Sequence, residues 1–395
     1  MQIRPLAASI LLLVFASIDA AEVGFSFENI KTRSSFGRLL EKGRAGKEIR
    51  VAFLGGSITQ NGRGHSGMVP QLLQERLPDA KIVAHNAGIS STCSTTGAFR
   101  LADHVLAEGP LDLLVVEFAV NDDQDAGHSK RDCVRGMEGI IRHVREQSPR
   151  TEIVMVYFVN EGIMETIRQG GTPLTIGAHE EVARHYGITS VNVAREVALA
   201  IKSGRYTWKD YGGVHPKSFG YKIASEMIVA AISGGWDSSD LKQPGALPAL
   251  IDRDSYVNGR FVSVKEAKLN GEWRIGKVGR DLLPVGSIRS QYESYDLLRG
   301  DAPGASLRFR FNGRSVGAFI LAGPDAGIVK AKVDGSDAGT HDLFHPHSGK
   351  LNYPRSVMFA AGLKSGHHDL ELTISENRSA KSAGTSASIL FFEVN

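Results

Sequence analysis

The sequence predicts an α/β domain followed by an antiparallel β-sandwich, because the hydrophobic pattern changes once along its 395 residues. From Ile49 to about Ile232, short apolar runs alternate with amphipathic stretches, which is typical of a mostly parallel sheet covered by helices on both faces. Beyond a turn-rich linker at 243–248, apolar residues occur at every second position instead. The chain length also favours two domains over one.

The α/β part, residues 21–238, contains five short apolar runs that predict strands. They cover residues 50–55, 81–85, 112–118, 152–158 and 189–192. Apolar residues at helical spacing predict helices over about 68–77, 134–146 and 218–232. The expected architecture is a three-layer α/β/α domain of flavodoxin-like type.

The second part, residues 249–395, has the pattern of half-buried strands. Apolar and polar residues alternate strictly over 307–311, 329–333 and 370–374, and each run is bounded by Gly, Pro, Asn or Asp. Closely spaced strands of this kind predict an antiparallel β-sandwich of about 150 residues.

The N-terminus carries a targeting pattern. A basic start with Arg4 precedes an apolar stretch over 5–18, and small residues follow at 19–21. This predicts a signal peptide over residues 1–20 and a secreted or periplasmic protein; a retained membrane anchor is the alternative. No later run approaches the ~20 apolar residues that a membrane span needs.

The charge balance narrows the classes of molecule that the protein is expected to bind. A formal net charge of +3 with both signs interspersed gives no case for a nucleic acid or an anionic membrane surface as partner.

The only two cysteines are Cys93 and Cys133. They could pair in an oxidising compartment, or they could remain separate thiols.

Three segments carry residues suited to acyl transfer. The run from Val51 ends in Gly-Gly before Ser57, which places a serine at the carboxyl end of a buried strand, where open α/β sheets bind ligands. A second buried strand ends in Asn121-Asp122, and His215 lies in a loop just before a helix. A serine becomes a nucleophile when a base such as histidine takes its proton.

These segments, in this order, resemble the SGNH hydrolase superfamily, also called GDSL-type esterases, over about residues 48–235. The Gly-Gly-Ser-Ile-Thr sequence around Ser57 is similar to that of a subgroup of secreted bacterial carbohydrate esterases. The C-terminal part resembles, more weakly, the jelly-roll modules attached to some of these enzymes. The resemblance implies an SGNH-type fold and a serine esterase that requires no cofactor and no metal.

The resemblance also implies the roles of the site residues. Ser57 is the expected nucleophile and His215 the expected base. The oxyanion would be held by the backbone N–H of Ser57 and by the side-chain amide of Asn121, although Asn121 could instead only cap a turn.

The third oxyanion donor is expected from the loop over 86–92. The glycine of the family falls at Ser91 here, and a serine can replace it only if its backbone adopts the angles that glycine takes freely. Gly88 is the fallback donor.

The acid of the triad departs from the family pattern. The family places Asp three residues before the catalytic histidine, and that position is Gly212 here. Asp210 is the nearest carboxylate, and two glycines could let the loop bring it to His215. The alternative is a Ser-His dyad. Trp208, beside this loop, could stack on a sugar or simply pack.

The expected function is hydrolysis of short-chain esters, acetyl above all, on polysaccharides or oligosaccharides. A lipase, lysophospholipase or thioesterase on the same scaffold is one alternative. A catalytically dead glycan-binding protein is the other, motivated by Gly212 and Ser91. The oligomeric state stays open.

Overall fold

The computed structural model describes residues 24–236 and 247–395. The predicted signal peptide and most of the predicted linker therefore lie outside the described residues. Within those ranges, no helix combines the length and the apolar character that a membrane crossing requires.

The first domain is built on a six-stranded sheet. Its strands are β1 (Ile30–Lys31), β2 (Glu48–Gly55), β3 (Lys81–Gly88), β4 (Leu113–Glu117), β5 (Glu152–Val156) and β6 (Thr189–Val191). Their order is β1-β6-β5-β4-β2-β3, and all neighbours are parallel except β1 and β6. The five predicted strands are β2 to β6. Strand β1 was not predicted, because its two residues are too few to show a hydrophobic period.

Ten α-helices accompany this sheet in the described residues. They are α1 (Gly37–Arg44), α2 (Ser57–Gln60), α3 (His65–Arg76), α4 (Ser94–His104), α5 (Lys130–Gln147), α6 (Glu161–Arg168), α7 (Leu174–His185), α8 (Val193–Lys202), α9 (Trp208–Tyr211) and α10 (Ser218–Trp236). Every residue of β4 and β5 is buried, as expected of central strands in a sheet covered on both faces. The predicted α/β class with a mostly parallel sheet is confirmed.

The second domain is an antiparallel sandwich. Its strands are β7 (Arg260–Ser263), β8 (Lys268–Asn270), β9 (Trp273–Lys277), β10 (Asp296–Gly300), β11 (Ser306–Gly313), β12 (Val316–Ala322), β13 (Ile328–Val333), β14 (Ser336–Asp342), β15 (Tyr353–Ala360), β16 (Gly366–Ile374) and β17 (Ala387–Val394). One sheet has the order β15-β12-β17-β10-β9, with β7 also on β17, and the other β14-β13-β16-β11-β8. Phe309 and Phe392 stack between them with ring centroids 4.0 Å apart.

A buried carboxylate joins the start of the second domain to the first. Glu138 of α5 is fully buried and accepts hydrogen bonds from the backbone N–H groups of Ile251 and Asp252. The hydroxyl of Ser255 donates to the same carboxylate at 2.6 Å. Because a buried carboxylate is costly unless it is hydrogen-bonded, this segment is held firmly against α5.

The two cysteines are free thiols. Cys93 immediately precedes α4 and Cys133 lies in the first turn of α5, and both are buried. Of the two alternatives that the sequence left open, the structure has the separate thiols.

Candidate active site

Ser57 lies at the first turn of α2, directly beyond the end of β2. The chain passes so close to Asn121 that a Cβ atom at Gly56 would lie 2.1 Å from the side-chain oxygen of Asn121. Only glycine fits this position. The first N–H groups of a helix have no partner within it, so the backbone N–H of Ser57 is oriented to donate outward.

His215 meets Ser57 although 158 positions separate them. Its Nε2 atom is 2.8 Å from the Ser57 hydroxyl oxygen. The loop that carries His215 leads into α10, where the buried hydroxyl of Tyr221 donates to the carbonyl of Ile58 at 3.1 Å. This bond ties the helix after the histidine to the helix of the serine. The structure therefore brings together the predicted nucleophile and the predicted base.

Asp210 is not brought to the histidine. Its carboxylate accepts from the backbone N–H of Thr207 at 2.9 Å and from the Thr207 hydroxyl at 2.6 Å. The Thr207 side chain accepts in return from the N–H of Asp210, which makes a capping box for α9. These hydrogen bonds hold the pKa of Asp210 below its ordinary value. The prediction that Asp210 is the acid partner of His215 is therefore corrected. The Asp210 carboxylate caps the helix to which it belongs.

At residue 212, where the family has its aspartate, the structure leaves no space for a side chain. Gly212 ends α9 with φ +116°, in the left-handed region, and a Cβ there would lie 2.3 Å from the backbone nitrogen of Lys217. An aspartate at this position would both strain the backbone and overlap the chain. Among the residues that the structure describes, none hydrogen-bonds to Nδ1 of His215. The arrangement is a serine and a histidine without a carboxylate.

Asn121 opens a single π-helical turn, Asn121–Asp125, which follows β4 by way of residues 118–120. Its side chain is buried, and its Nδ2 donates to a carboxylate oxygen of Asp125 at 2.6 Å. A carboxamide nitrogen carries two hydrogens, so this bond fixes the plane of the amide and leaves one hydrogen to donate. The side-chain amide of Asn121 lies directly against Gly56, with its oxygen nearest to the position that a Cβ atom would take there.

A buried polar network fixes the turn that carries Asn121. The carboxylate of Asp122 accepts from the N–H and the hydroxyl of Ser94 and, at 2.9 Å, from His179. Burial alone would raise the pKa of Asp122, but His128, followed by His179, outweighs it and holds that pKa well below its ordinary value. Asp122 therefore remains an anion, which anchors the turn to α4 and α7.

The same network contains two groups of described side chains that could hold a metal ion. Potential ligand atoms lie within 4.8 Å of one another in two groups, Cys93–Asp122–His128 and Asp122–Cys133–His179. Asp122 is common to both, and its oxygens already accept from Ser94 and His179. The hydrogen bonds of the network satisfy this carboxylate without a cation.

The loop predicted to supply the third donor leaves one N–H group without an acceptor. Gly88 donates to the side chain of Asn86 at 2.9 Å, so the fallback donor is already used. The N–H groups of residues 89, 90 and 92 donate to Gly55, Gln60 and Ile89. Among the described acceptors, none takes the N–H of Ser91. Ser91 has φ +70°, so it adopts the left-handed conformation for which the family uses glycine.

Glu117 is a site residue that the sequence analysis missed. It is fully buried at the end of β4 and accepts from the Gly56 N–H at 3.1 Å and from the Thr59 hydroxyl at 2.6 Å. Both donors belong to the turn around Ser57. Burial raises the pKa of Glu117 to about 7, although these two hydrogen bonds oppose the shift. A charged residue inside the apolar run 113–118 was the available signal.

A cavity of about 270 Å³ lies beside Ser91, between the two domains. Ser91 and Asp125 line it from the first domain, and Tyr353 and Arg355 line it from the second. Trp208 is elsewhere: it stacks on Tyr211 with ring centroids 5.5 Å apart and packs on the core, so the packing alternative describes it.

Comparison with known proteins agrees with this geometry. Residues 53–223 match the model of the GDSL-like Lipase/Acylhydrolase family. That range contains the serine, asparagine and histidine segments together, so this part of the chain is a GDSL/SGNH domain. A search of curated protein sequences gives no significant match.

Similar solved structures extend the comparison to both domains. A two-domain esterase active on acetylated mannans, co-crystallised with mannopentaose, has 18% sequence identity and a TM-score of 0.74, covering 94% of this chain and 98% of its own. The same esterase without that ligand gives a TM-score of 0.73. An acetyl xylan esterase, AlAXEase, covers 47% of this chain with a TM-score of 0.38 and 17% identity. The first pair has the same succession of an α/β domain and a β domain.

Proposed function

We propose that this protein, whose residues 53–223 form a domain of the GDSL-like lipase/acylhydrolase family, is a serine esterase that removes short acyl groups, acetyl above all, from polysaccharides or oligosaccharides. The observation that carries the proposal is the 2.8 Å contact between the Ser57 hydroxyl oxygen and Nε2 of His215. At this distance the hydroxyl can pass its proton to the ring.

In the first half-reaction, Ser57 Oγ attacks the ester carbonyl carbon while its proton moves to Nε2 of His215. The tetrahedral intermediate carries a negative charge on the former carbonyl oxygen. The backbone N–H groups of Ser57 and Ser91 and the side-chain amide of Asn121 donate to that oxygen. The C–O bond to the sugar then breaks, and the protonated imidazole gives its proton to the leaving sugar oxygen.

In the second half-reaction, water attacks the acyl-serine and His215 accepts a proton from it. The second tetrahedral intermediate uses the same donors. Its collapse returns the proton to Ser57 Oγ and releases the carboxylic acid. No cofactor takes part in either step.

The histidine acts in this scheme without a carboxylate. For Nε2 to accept the proton of Ser57, the neutral ring must carry its own proton on Nδ1. His215 is exposed, so water can accept from that Nδ1–H and stabilise the charged ring. We therefore propose a Ser57–His215 dyad rather than a triad through Asp210.

The substrate class is proposed from the architecture. An esterase active on acetylated mannans shares both domains over 94% of this chain. The cavity of about 270 Å³ beside Ser91 is lined by both domains, which suits a sugar chain lying across the interface. An exported enzyme would meet such polymers outside the cell, in keeping with the expected signal peptide and location.

The proposal is tested by labelling and by substrate preference. A fluorophosphonate probe should label the wild type and Ser203→Ala, a surface control, but not Ser57→Ala. Acetate release from a panel of acetylated glycans should then identify the polymer. If a series of nitrophenyl esters gave an optimum above about eight carbons, the lipase or thioesterase alternative would replace this one. An unlabelled wild type would leave the glycan-binding alternative.

A further inference from the structure

The oxyanion loop, defined here as residues 88–92, depends on the second domain for its conformation. Its Ser91 carries the unused N–H group and has the left-handed φ of +70°. Serine adopts this conformation far less readily than glycine, so the surroundings must hold it there.

Arg289 supplies two of the contacts that hold this loop. Its Nη1 donates to the carbonyl oxygen of Ser90 at 2.8 Å, and its Nη2 donates to the hydroxyl oxygen of Ser91 at 3.0 Å. The guanidinium is planar and its donors are fixed relative to one another. It therefore sets the position and the rotation of the peptide unit between Ser90 and Ser91, which is the unit that carries the Ser91 N–H.

A second path from the same segment reaches the loop through Gln60, the last residue of α2. Gln291 accepts from the side-chain amide of Gln60 at 2.7 Å. The other end of that amide, the Gln60 oxygen, accepts from the N–H of Ser90 at 3.1 Å and from the Ser90 hydroxyl. Ile89 packs against an apolar cluster of the second domain. The loop is thus held on three sides by groups outside it.

We propose that Arg289 is a positioning residue of the oxyanion hole, so that the β-sandwich domain completes the catalytic centre of the hydrolase domain. The inference rests on the proposed function, since the Ser91 N–H matters only if an oxyanion forms there. It also accounts for the serine where the family has glycine. Ser91 offers Arg289 a hydroxyl acceptor, which a glycine lacks.

Replacing the arginine tests this role. Arg289→Met should lower kcat by about 10- to 100-fold, less than the 10²–10³ reported for removing an oxyanion donor outright, because the N–H remains but is misplaced. KM should stay within about threefold, since a change confined to the transition state lowers kcat rather than binding. Arg289→Lys should recover part of the rate, because one donor remains.

Arg280→Met is the matched control. Arg280 is an exposed arginine of the same domain, and its guanidinium donates to the carbonyl of Gly286 at 2.7 Å. Its loss removes a similar arginine–carbonyl bond that does not involve the oxyanion loop, and it should leave kcat at the wild-type value. Melting temperatures of all variants should stay within a few degrees of one another, which separates positioning from general unfolding.

Ser91→Gly keeps the inference testable even if Arg289→Met folds poorly, and where both variants fold, they form a double-mutant cycle. Ser91→Gly removes the hydroxyl that Arg289 binds, while glycine accepts the left-handed φ. Ser91→Gly should lower kcat, and adding Arg289→Met should cost less than it does in the wild type, because one of its acceptors is already gone.

Three outcomes would overturn the inference: wild-type kcat in Arg289→Met, a loss of kcat in Arg280→Met as large as that in Arg289→Met, or strictly additive effects in the cycle. Failure of the proposed function is distinguishable from these. In that case the wild type itself would neither react with the fluorophosphonate probe nor release acetate, whereas an active wild type with an unaffected Arg289→Met rejects only the role of Arg289.

Discussion

Glu117 accepts a 2.6 Å hydrogen bond from the hydroxyl of Thr59, inside the turn that carries the nucleophile. The same oxygen accepts from the Gly56 N–H, while the other carboxylate oxygen is buried with no partner in the described part of the chain. The Glu117 carboxyl thus holds residues on both sides of Ser57, and it is buried in doing so. Its pKa is raised by burial to about 7, from an ordinary value of 4.5.

This shift makes stability depend on pH. Between about pH 4.5 and 7 the folded protein binds a proton at Glu117 that the unfolded chain has released, so stability falls as pH rises through this window and is level above it. A shift of about 2.5 pKa units corresponds to at most about 3–4 kcal/mol. Glu117→Gln should therefore gain stability relative to the wild type when the pH is raised from 5 to 8.

Thermal unfolding at several pH values measures this difference. Glu272→Gln, on an exposed carboxyl of the second domain, is the control and should follow the wild-type curve. Parallel curves for Glu117→Gln and the wild type would show that Glu117 is ionised in the folded protein throughout.

Asp210→Asn should leave catalysis nearly intact. The carboxylate binds Thr207 and not His215, so kcat should remain within about threefold, against about 10⁴ lost when the acid of a serine protease triad is replaced. The melting temperature should fall slightly, because the cap of α9 is weakened. Thr207 is the other residue of the same capping box, so Thr207→Val should lower the melting temperature by a similar amount. A loss of kcat above about 100-fold in Asp210→Asn alone would restore the triad.

Restoring the family's aspartate should damage the protein instead of improving it. A Cβ at Gly212 would overlap the nitrogen of Lys217, and the φ of +116° disfavours every other residue. Gly212→Ala should therefore destabilise by about 1–2 kcal/mol for the conformation plus about 1–3 kcal/mol for the overlap. Gly212→Asp should be no more active than the wild type.

Gly213→Ala separates the two contributions. Gly213 also has a positive φ, +85°, but no atom lies within 4 Å of a Cβ added there. It should lose stability only through its conformation, and so less than Gly212→Ala. Urea unfolding of both variants gives the comparison, and equal losses would mean that the overlap at residue 212 is relieved by movement of the loop.

The contrast between Ser57 and Arg289 shows how far the sequence could predict this site. Ser57, Asn121 and His215 each follow a strand or precede a helix with a clear pattern, and the resemblance of these segments to the SGNH family predicts that they meet at one edge of the sheet. Arg289 lies 199 positions from its partner Ser90, in a segment without periodicity. Nothing local to it indicates which surface it contacts.

The role of Asp210 could not be predicted from the neighbouring sequence either, for a different reason. A carboxylate five residues before a histidine, separated from it by glycines, is compatible with either a triad or a helix cap. The choice depends on which hydrogen bonds form. Thr207, three residues before Asp210, was a capping signal in the sequence, since a threonine followed three residues later by an acid favours a helix start.

The thiols should be countable. Cys93 and Cys133 are buried and unpaired, so Ellman's reagent without reductant should find two thiols per chain in guanidinium chloride and far fewer in buffer. A reductant should not change the melting temperature. No thiol in the denatured sample would mean that the two pair after all.

Asn121 should prove essential for rate and not for binding. Its amide is fixed by Asp125 and lies against Gly56. One of its two amide hydrogens remains for donation to an oxyanion. Asn121→Asp keeps the shape but removes the donor and adds a charge, so kcat should fall by at least the 10²–10³ typical of a lost oxyanion donor, with KM little changed. Asn312→Ala, on the exposed face of β11, is the control. Because the amide would act only as charge develops on the carbonyl oxygen, a rise in KM with unchanged kcat would assign Asn121 to substrate binding instead.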